Sequence, residues 1–397
     1  MPLIPQDEAG VQAAVADALS RGTTLAVEGL GTKRGIGRAM QAGETLSLRA
    51  LSGIVTYEPE ELILTAQAGT TRDVIEATLA QRGQCLAFEP PDLSALLGSD
   101  GPGTLGGMVA CNLSGPRRFA AGAARDFVLG LRAVSGRGEI FKAGGRVVKN
   151  VTGYDLAKLL TGSHGTLAVL TELTLKVLPA PETAETLVLR GLPDAPALSL
   201  LRGSIALGVE PTGLAHVPGL AAPSLGETGA LTLFRLEGPG PSVRARAERL
   251  RGWLAGQGAP AVETRDNVAD LWRALRDARP FAGPDRRDDL VWRLSLPPAS
   301  AAAVGARLAA LPGVSFFFDW AGGLIWAATP ARLSVETFRA ALQGAGHATL
   351  IRAPEALRAS VPVFPPQADG IAALSRRIKE QFDPRGILNP GRMEAGV

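Results

Sequence analysis

The chain has 397 residues, 46% hydrophobic and 20% charged, long enough for two or three cores and too long for a small binding module. Its 41 Lys and Arg against 38 Asp and Glu leave a net charge of +3, too slight a surplus to imply a nucleic-acid partner. Two cysteines, Cys85 and Cys111, cannot supply the four thiolates of an iron–sulfur cluster or a structural zinc site, and are expected as small buried hydrophobes in a reduced compartment.

Near the start, Asp7 and Glu8 stand where a signal peptide would carry basic residues, and no apolar run of about 18 residues follows, so a cytoplasmic protein without a transmembrane segment is expected. Apolar spacing predicts a helix over 7–20, a strand over 24–28 and then the glycine-rich turn Gly29 to Gly37. Strands follow at 54–57 and 61–66, and Thr70 with Asp73 suggests a capping pair for a helix ending near Gly83. Residues 129–142 read as a hairpin turning at Gly136-Arg137-Gly138, followed by a short helix over 155–161 and a strand over 166–178 stopped by Pro179 and Pro181.

From about residue 184 to 352 the order strand, helix, strand, strand, helix, strand occurs twice, which predicts duplicated ferredoxin-like units sharing one antiparallel sheet with helices on one face. All five tryptophans fall here, and core packing is the expected use for them; within Phe316-Phe317-Phe318 at least one ring should face a helix layer or another chain. The basic run Arg244 to Arg251 reads as a solvated helix face. A proline-marked linker over 354–366 leads to a helix over 368–381 and the turn Phe382 to Arg392. The expected domains are 1–180, 181–353 and a C-terminal segment, 354–397.

Three segments could bring backbone N–H groups close to phosphate oxygens: Gly29 to Gly37, Ser99 to Gly115 and Gly162 to Thr166. The dinucleotide fingerprint fails because Arg34 occupies its third glycine position, and no P-loop pattern occurs. Four blocks then stand in order: Gly103-Thr-Leu-Gly-Gly107 running on to Asn112 and Gly115, Arg125-Asp126 to Gly130, Lys149-Asn-Val-Thr-Gly-Tyr154-Asp155, and Gly162-Ser-His-Gly165-Thr166. Together they resemble the vanillyl-alcohol-oxidase family of flavoproteins, whose FAD domain is of the p-cresol methylhydroxylase (PCMH) type. The tail Phe382-Asp-Pro-Arg-Gly-Ile-Leu-Asn389-Pro-Gly is similar to the C-terminal signature of D-lactate and glycolate dehydrogenases in that family.

The resemblance implies an α+β protein: a two-lobed PCMH-type FAD-binding domain, with the duplicated sheet units as a cap domain. It implies that Gly29, Leu30, Gly31, Thr32 and Lys33, with Ser99, Gly103, Thr104, Gly106 and Gly107, hold the pyrophosphate and neighbouring parts of FAD. By the same carry-over Asn112, Gly165, Thr166 and Val169 line the cofactor, and Asn389 approaches its ring. Relatives with covalent flavin often carry a His in the first loop, where this chain has Thr32, so non-covalent FAD is expected. Stand-alone hydroxy-acid dehydrogenases of the family are expected to use a histidine-rich metal site, whereas this chain has only His164, His216 and His347; no metal site is expected and no catalytic base is identified.

The compact length and the KNVTGYDL block resemble the glycolate-oxidase branch of the family. That branch implies a larger flavin subunit and an iron–sulfur subunit as partners, glycolate as substrate of the complex, and attachment to the inner membrane through those partners. Three readings stay open: a redox subunit of such a complex; an independent oxidoreductase acting on a 2-hydroxy acid, sugar or alditol; and an assembly subunit that has lost its cofactor. His164 could contact the cofactor or be structural; Asp155 suits a helix N-terminus and Tyr154 a core ring with its hydroxyl paired, and a cofactor role is equally open to both.

Overall fold

The computed structural model describes residues 1–146, 153–265 and 268–395, so the Lys149–Thr152 portion of the third block lies outside the described residues. The chain forms two compact units, one from residues 1–114, 122–180 and 355–397, the other from 115–121 and 181–354.

The first unit opens with α1 (Glu8–Arg21), the parallel pair β1 (Leu25–Glu28) and β2 (Glu44–Ser47), the antiparallel pair β3 (Ile54–Glu58) and β4 (Ile63–Gln67), α2 (Arg72–Ala80), β5 (Gln84–Cys85) and α3 (Ser94–Leu97). Next come α4 (Leu105–Cys111), α5 (Arg118–Ala121, part of the second unit), α6 (Ala124–Phe127), β6 (Val128–Ser135), β7 (Ile140–Gly144), α7 (Leu156–Leu160), β8 (Ala168–Lys176) and β9 (Leu178–Pro179). Local chemistry explains the first helix: the Asp7 side chain accepts from Gly10 N at 2.7 Å, Gly22 ends it at φ 65°, and Val11, Val15 and Ala18 bury the face between. The hairpin β6–β7 turns where expected, with Gly138 at φ 76°. Its strands join an antiparallel sheet in the order β3-β4-β8-β6-β7.

Three local expectations differ. Thr70 does not cap α2; Thr71 is the N-cap residue, without a side-chain bond, while the Thr70 hydroxyl accepts from Gly53 N and donates to Gly53 O. Tyr154 is not a core ring but 91% exposed, because α7 starts one residue later, with Asp155 as N-cap accepting from Lys158 N. Cys85 and Cys111 are half-buried rather than buried.

The second unit runs β10 (Thr183–Arg190), α8 (Asp194–Ala206), β11 (Gly213–Val217), β12 (Leu231–Gly238), α9 (Gly240–Gly256) and β13 (Glu263–Arg265). After α10 (Ala269–Arg276) the order repeats as β14 (Leu290–Ser295), α11 (Ala301–Ala309), β15 (Ser315–Asp319), β16 (Leu324–Thr329), α12 (Val335–Ala340) and β17 (His347–Arg352). All pairings are antiparallel in one eight-stranded sheet, β13-β10-β12-β11-β15-β16-β14-β17, so the two copies meet back to back. The seam β11–β15 is a single pairing, His216 with Phe318. Phe316 and Phe318 both come close to Gly305 of α11, while Phe317 stacks on Phe281 at 5.7 Å. Trp272, Trp292, Trp320 and Trp326 are buried. His216 is fully buried between Thr232 and Asp194, tying the first turn of α8 to the sheet.

Gly115–Ala121, expected in the first domain, belongs to the second unit because Arg117 forms a two-pronged ion pair with Glu237 and the Trp320 indole donates to Gly115 O at 3.0 Å. Burial raises the Glu237 pKa, but the hydrogen bonds and charge of Arg117, with the charge of Arg235, outweigh it and hold the carboxyl down to about 2. A carboxylate lowered on folding stabilises above its ordinary pKa of 4.5 and loses that contribution as pH falls toward about 2. Thermal melts across that window should show the second unit weakening on acidification, with a smaller pH dependence in Glu237→Gln.

The linker holds an unforeseen helix, α13 (Glu355–Ser360), before α14 (Asp369–Phe382), and both belong to the first unit. No helix of the described residues is long and apolar enough to cross a membrane.

Candidate cofactor cleft

The two glycine-rich segments predicted to share a ligand meet each other in the first unit. A Cβ on Gly29 would stand 2.2 Å from Thr104 Oγ1, so glycine is what lets this backbone approach the other segment, and the Lys33 ammonium reaches to the side of Gly103. Ser99 braces the first loop by donating to Thr32 O at 3.0 Å, and the Thr104 hydroxyl accepts from Gly107 N at 3.4 Å.

Between them lies a cleft of about 430 Å³, within the roughly 300–1,000 Å³ of small-molecule and cofactor sites. Gly29 to Lys33, Thr104, Gly107 and Asn389 line it. A recess of about 60 Å³ shares Gly29, Thr104, Gly107 and His164 with the cleft and adds Gly106 and Gly165. Five expected residues stand outside both linings: Ser99 and Gly103, which brace the first loop from behind, and Asn112, Thr166 and Val169. Asn112 ends α4 at φ 47°, its Oδ1 accepting from Arg125 N at 3.1 Å, and Val169 is fully buried within β8. Thr166 lines a different cavity of about 440 Å³, together with Ser163, Leu167 and Ile378. Ser163 and His164, adjacent in sequence, thus serve different spaces.

Asn389 is the clasp of this arrangement. Its Oδ1 accepts from Val27 N at 2.7 Å, its Nδ2 donates to His164 O at 2.7 Å, and its backbone N–H bonds Leu25 O at 2.9 Å, so the tail runs beside β1 and against the third glycine segment. Behind it, Lys379 Nζ bonds Asp383 Oδ2 at 2.7 Å, Thr166 O at 2.6 Å and Leu388 O at 3.0 Å, while the Asp383 carboxylate receives Ile387 N and Leu388 N.

The cleft is cationic. Lys33 has no carboxylate within ion-pairing distance among the described residues; Arg392 Nη2 donates to Lys33 O at 2.7 Å and Arg358 Nη1 to Gly37 O at 2.9 Å. Burial lowers the pKa of all three below its ordinary value. Arg34 is engaged by Glu28. Burial, then the nearby Arg392 charge, pushes the His164 pKa down to about 3, so the ring is neutral at physiological pH; its Nδ1 lies 3.7 Å from Cys111 Sγ, whose thiol pKa burial raises. Glycine backbone at close approach, with Lys33, Arg358 and Arg392 along one cleft, fits an elongated ligand bearing two phosphates. Sequence reasoning missed Arg358, Arg392, Cys111 and Met40, of which Cys111, inside the block that runs from Gly103 to Asn112, and Arg392, just beyond the Asn389-Pro-Gly signature, carried a local signal.

Residues 2–144 match the family described as FAD binding domain, and 367–393 the one described as FAD linked oxidases, C-terminal domain. Glycolate oxidase subunit GlcE of Escherichia coli (strain K12) is 37% identical, over 96% of this chain and 95% of its own length. The chain belongs to the FAD-linked oxidase family of that subunit. Glycolate oxidase subunit GlcD of Bacillus subtilis (strain 168) is 27% identical, over 89% of this chain and 80% of its own. The structure of p-cresol methylhydroxylase superposes with a TM-score of 0.72 at 15% identity, covering 99% of this chain and 88% of that one, which shows the PCMH-type fold. Membership in this FAD-linked oxidase family makes the chain an FAD-dependent oxidoreductase acting on CH–OH groups, with FAD its cofactor.

Proposed function

We propose that this chain is the subunit of a glycolate-oxidising complex that holds FAD non-covalently in the cleft of its first unit. The observation that carries the FAD site is the meeting of Gly29–Lys33 with Ser99–Gly107 beside Lys33, Arg358 and Arg392. Lys33, Arg392 and the loop amides would hold the pyrophosphate, and Gly106 and Gly165 line the recess beside it. Asn389 and Lys379 position the third glycine segment rather than react. When bound, FAD supplies the two-electron acceptor chemistry, and the protein orients and tunes it. Thr32 in the first loop, and no His there, supports a non-covalent cofactor. Likeness to proteins named as glycolate oxidase subunits supports assembly with a larger flavin subunit, and two cysteines support placing any iron–sulfur cluster on another subunit. Attachment at the cytoplasmic side of a membrane would then come through those partners.

The test is a visible spectrum before and after acid precipitation, followed by co-expression with the partner subunits. A yellow supernatant is expected, with glycolate-dependent dye reduction that requires the complex. Flavin retained in the pellet would contradict the non-covalent reading. A chain that stays colourless after FAD reconstitution would favour an assembly role, and full activity of the chain alone would favour an independent oxidoreductase.

A further inference from the structure

His164 is held in the wall of the cofactor cleft more firmly than a lining residue requires. It adopts φ 52°, a left-handed conformation that residues with a Cβ seldom take, between Gly162 and Gly165 at φ 93° and 71°. Both of its backbone polar groups are spent: the N–H donates to Ala110 O at 2.9 Å and the carbonyl accepts from Asn389 Nδ2 at 2.7 Å. The loop is thereby tied to α4 on one side and to the tail on the other. Its ring lines both the cleft and the adjoining recess, and the Phe364 ring, 5.0 Å away between centroids, packs against it.

The two ring nitrogens have different surroundings. Nδ1 lies 3.7 Å from Cys111 Sγ, whereas Nε2 has no hydrogen-bond partner among the described residues. Burial and the Arg392 charge hold the ring neutral, so only one of the two nitrogens carries a proton. At Cys111 burial outweighs the charges of Lys33 and Arg392 and raises the thiol pKa, so the sulfur keeps its hydrogen. A thiol sulfur is a weak acceptor, while a bare imidazole nitrogen accepts well. The S–H therefore points at Nδ1, and the ring proton sits on Nε2, the nitrogen left free for the cleft.

We propose that Cys111 fixes His164 as the Nε2–H tautomer, so that this neutral imidazole donates a hydrogen bond from the cleft wall to an acceptor of the bound FAD. The inference rests on the function proposed above in taking FAD as the occupant of the cleft. His164 is then a cofactor-binding residue, and Cys111 is a positioning residue that acts through its ring. A neutral donor supplies direction without adding charge to a cleft that already holds Lys33, Arg358 and Arg392. In the other tautomer Nε2 would present a lone pair to the same acceptor and repel it.

The test reads the tautomer and the cofactor separately in the full-length chain. Nitrogen NMR with isotope-labelled histidine resolves the three rings, and His164 is assigned by its loss in His164→Gly, where glycine suits the backbone at φ 52° and keeps the fold. In the FAD-free parent Nδ1 should resonate as the bare nitrogen and Nε2 as the N–H. Cys111→Ala should give a mixture of the two tautomers, and Cys111→Ser, whose hydroxyl still donates, should restore the parent pattern. Flavin fluorescence should show FAD binding weakened by about five- to tenfold in His164→Gly, by a smaller factor in Cys111→Ala, and unchanged in Cys111→Ser. The midpoint potential of the His164→Gly flavin then locates the acceptor. A fall of about 30 mV, which is a tenfold difference in the loss between reduced and oxidised forms, marks the flavin ring; no shift marks the phosphates or sugar. An Nδ1–H ring in the parent, a tautomer unmoved by Cys111→Ala, or undiminished FAD affinity in His164→Gly would each overturn the proposal. A chain that takes up no FAD would sink the function proposed above, while the tautomer, read without FAD, is decided on its own.

Discussion

Gly29→Ala should give a folded chain that loses FAD on gel filtration. The three atoms nearest the added Cβ all belong to Thr104, at 2.2, 2.8 and 2.9 Å, so one of the two cleft-forming segments must move. Overpacking of this kind costs about 1–3 kcal/mol, and because the displaced backbone is the proposed phosphate cradle, FAD affinity should fall by roughly 10- to 100-fold. The check is flavin fluorescence against FAD concentration. Thr104→Gly removes all three of these atoms, so Gly29→Ala should cost much less affinity when added to Thr104→Gly than it does alone. Undiminished affinity in the single variant would place the cofactor elsewhere.

Asp383→Ala should be the most destabilising single change in the first unit. Lys379 and Asp383 are 8% and 0% exposed, and the carboxylate also accepts two backbone N–H groups. Removing one partner of a buried, hydrogen-bonded pair costs about 3–5 kcal/mol, since it leaves a buried ammonium and two unmet donors. For a unit of this size that corresponds to a fall in melting temperature of about 6–20 °C. FAD should offset part of the loss by mass action, so the difference between variant and parent should narrow as FAD is added. Calorimetry with and without FAD provides the check; a shift of a degree or two would mean that the tail turn does not depend on this pair.

The duplicated unit was legible because each of its elements is long enough to show its own period and each turn carries its own breaker. The linker helix α13 was not: six residues between Pro354 and Pro362 show no period, and the prolines argue for extended chain. That omission hid Arg358, which reaches Gly37 O across 321 residues, as Arg392 reaches Lys33 O across 359. A lone arginine carries no motif, and only folding reveals that a carbonyl distant in sequence has turned it into the cleft. Tyr154 misled for the opposite reason, since an aromatic residue beside a helix start looks like core until the start is fixed one residue further on. The glycine segments were readable because close backbone approach can be met by only one residue type.

The bond from Val27 N to Asn389 Oδ1 joins residues 362 apart, and β1 and the last turn of the chain also pair through Leu25 and Ile387. During synthesis β1 and the first glycine loop therefore wait, half-built, for a residue made 362 positions after Val27. The cofactor cleft cannot close before Asn389 has emerged. Both sheets can form before Asn389 emerges, so flavin loading comes after both have folded, and a chain cut just before Asn389 should accumulate as a folded but flavin-free product.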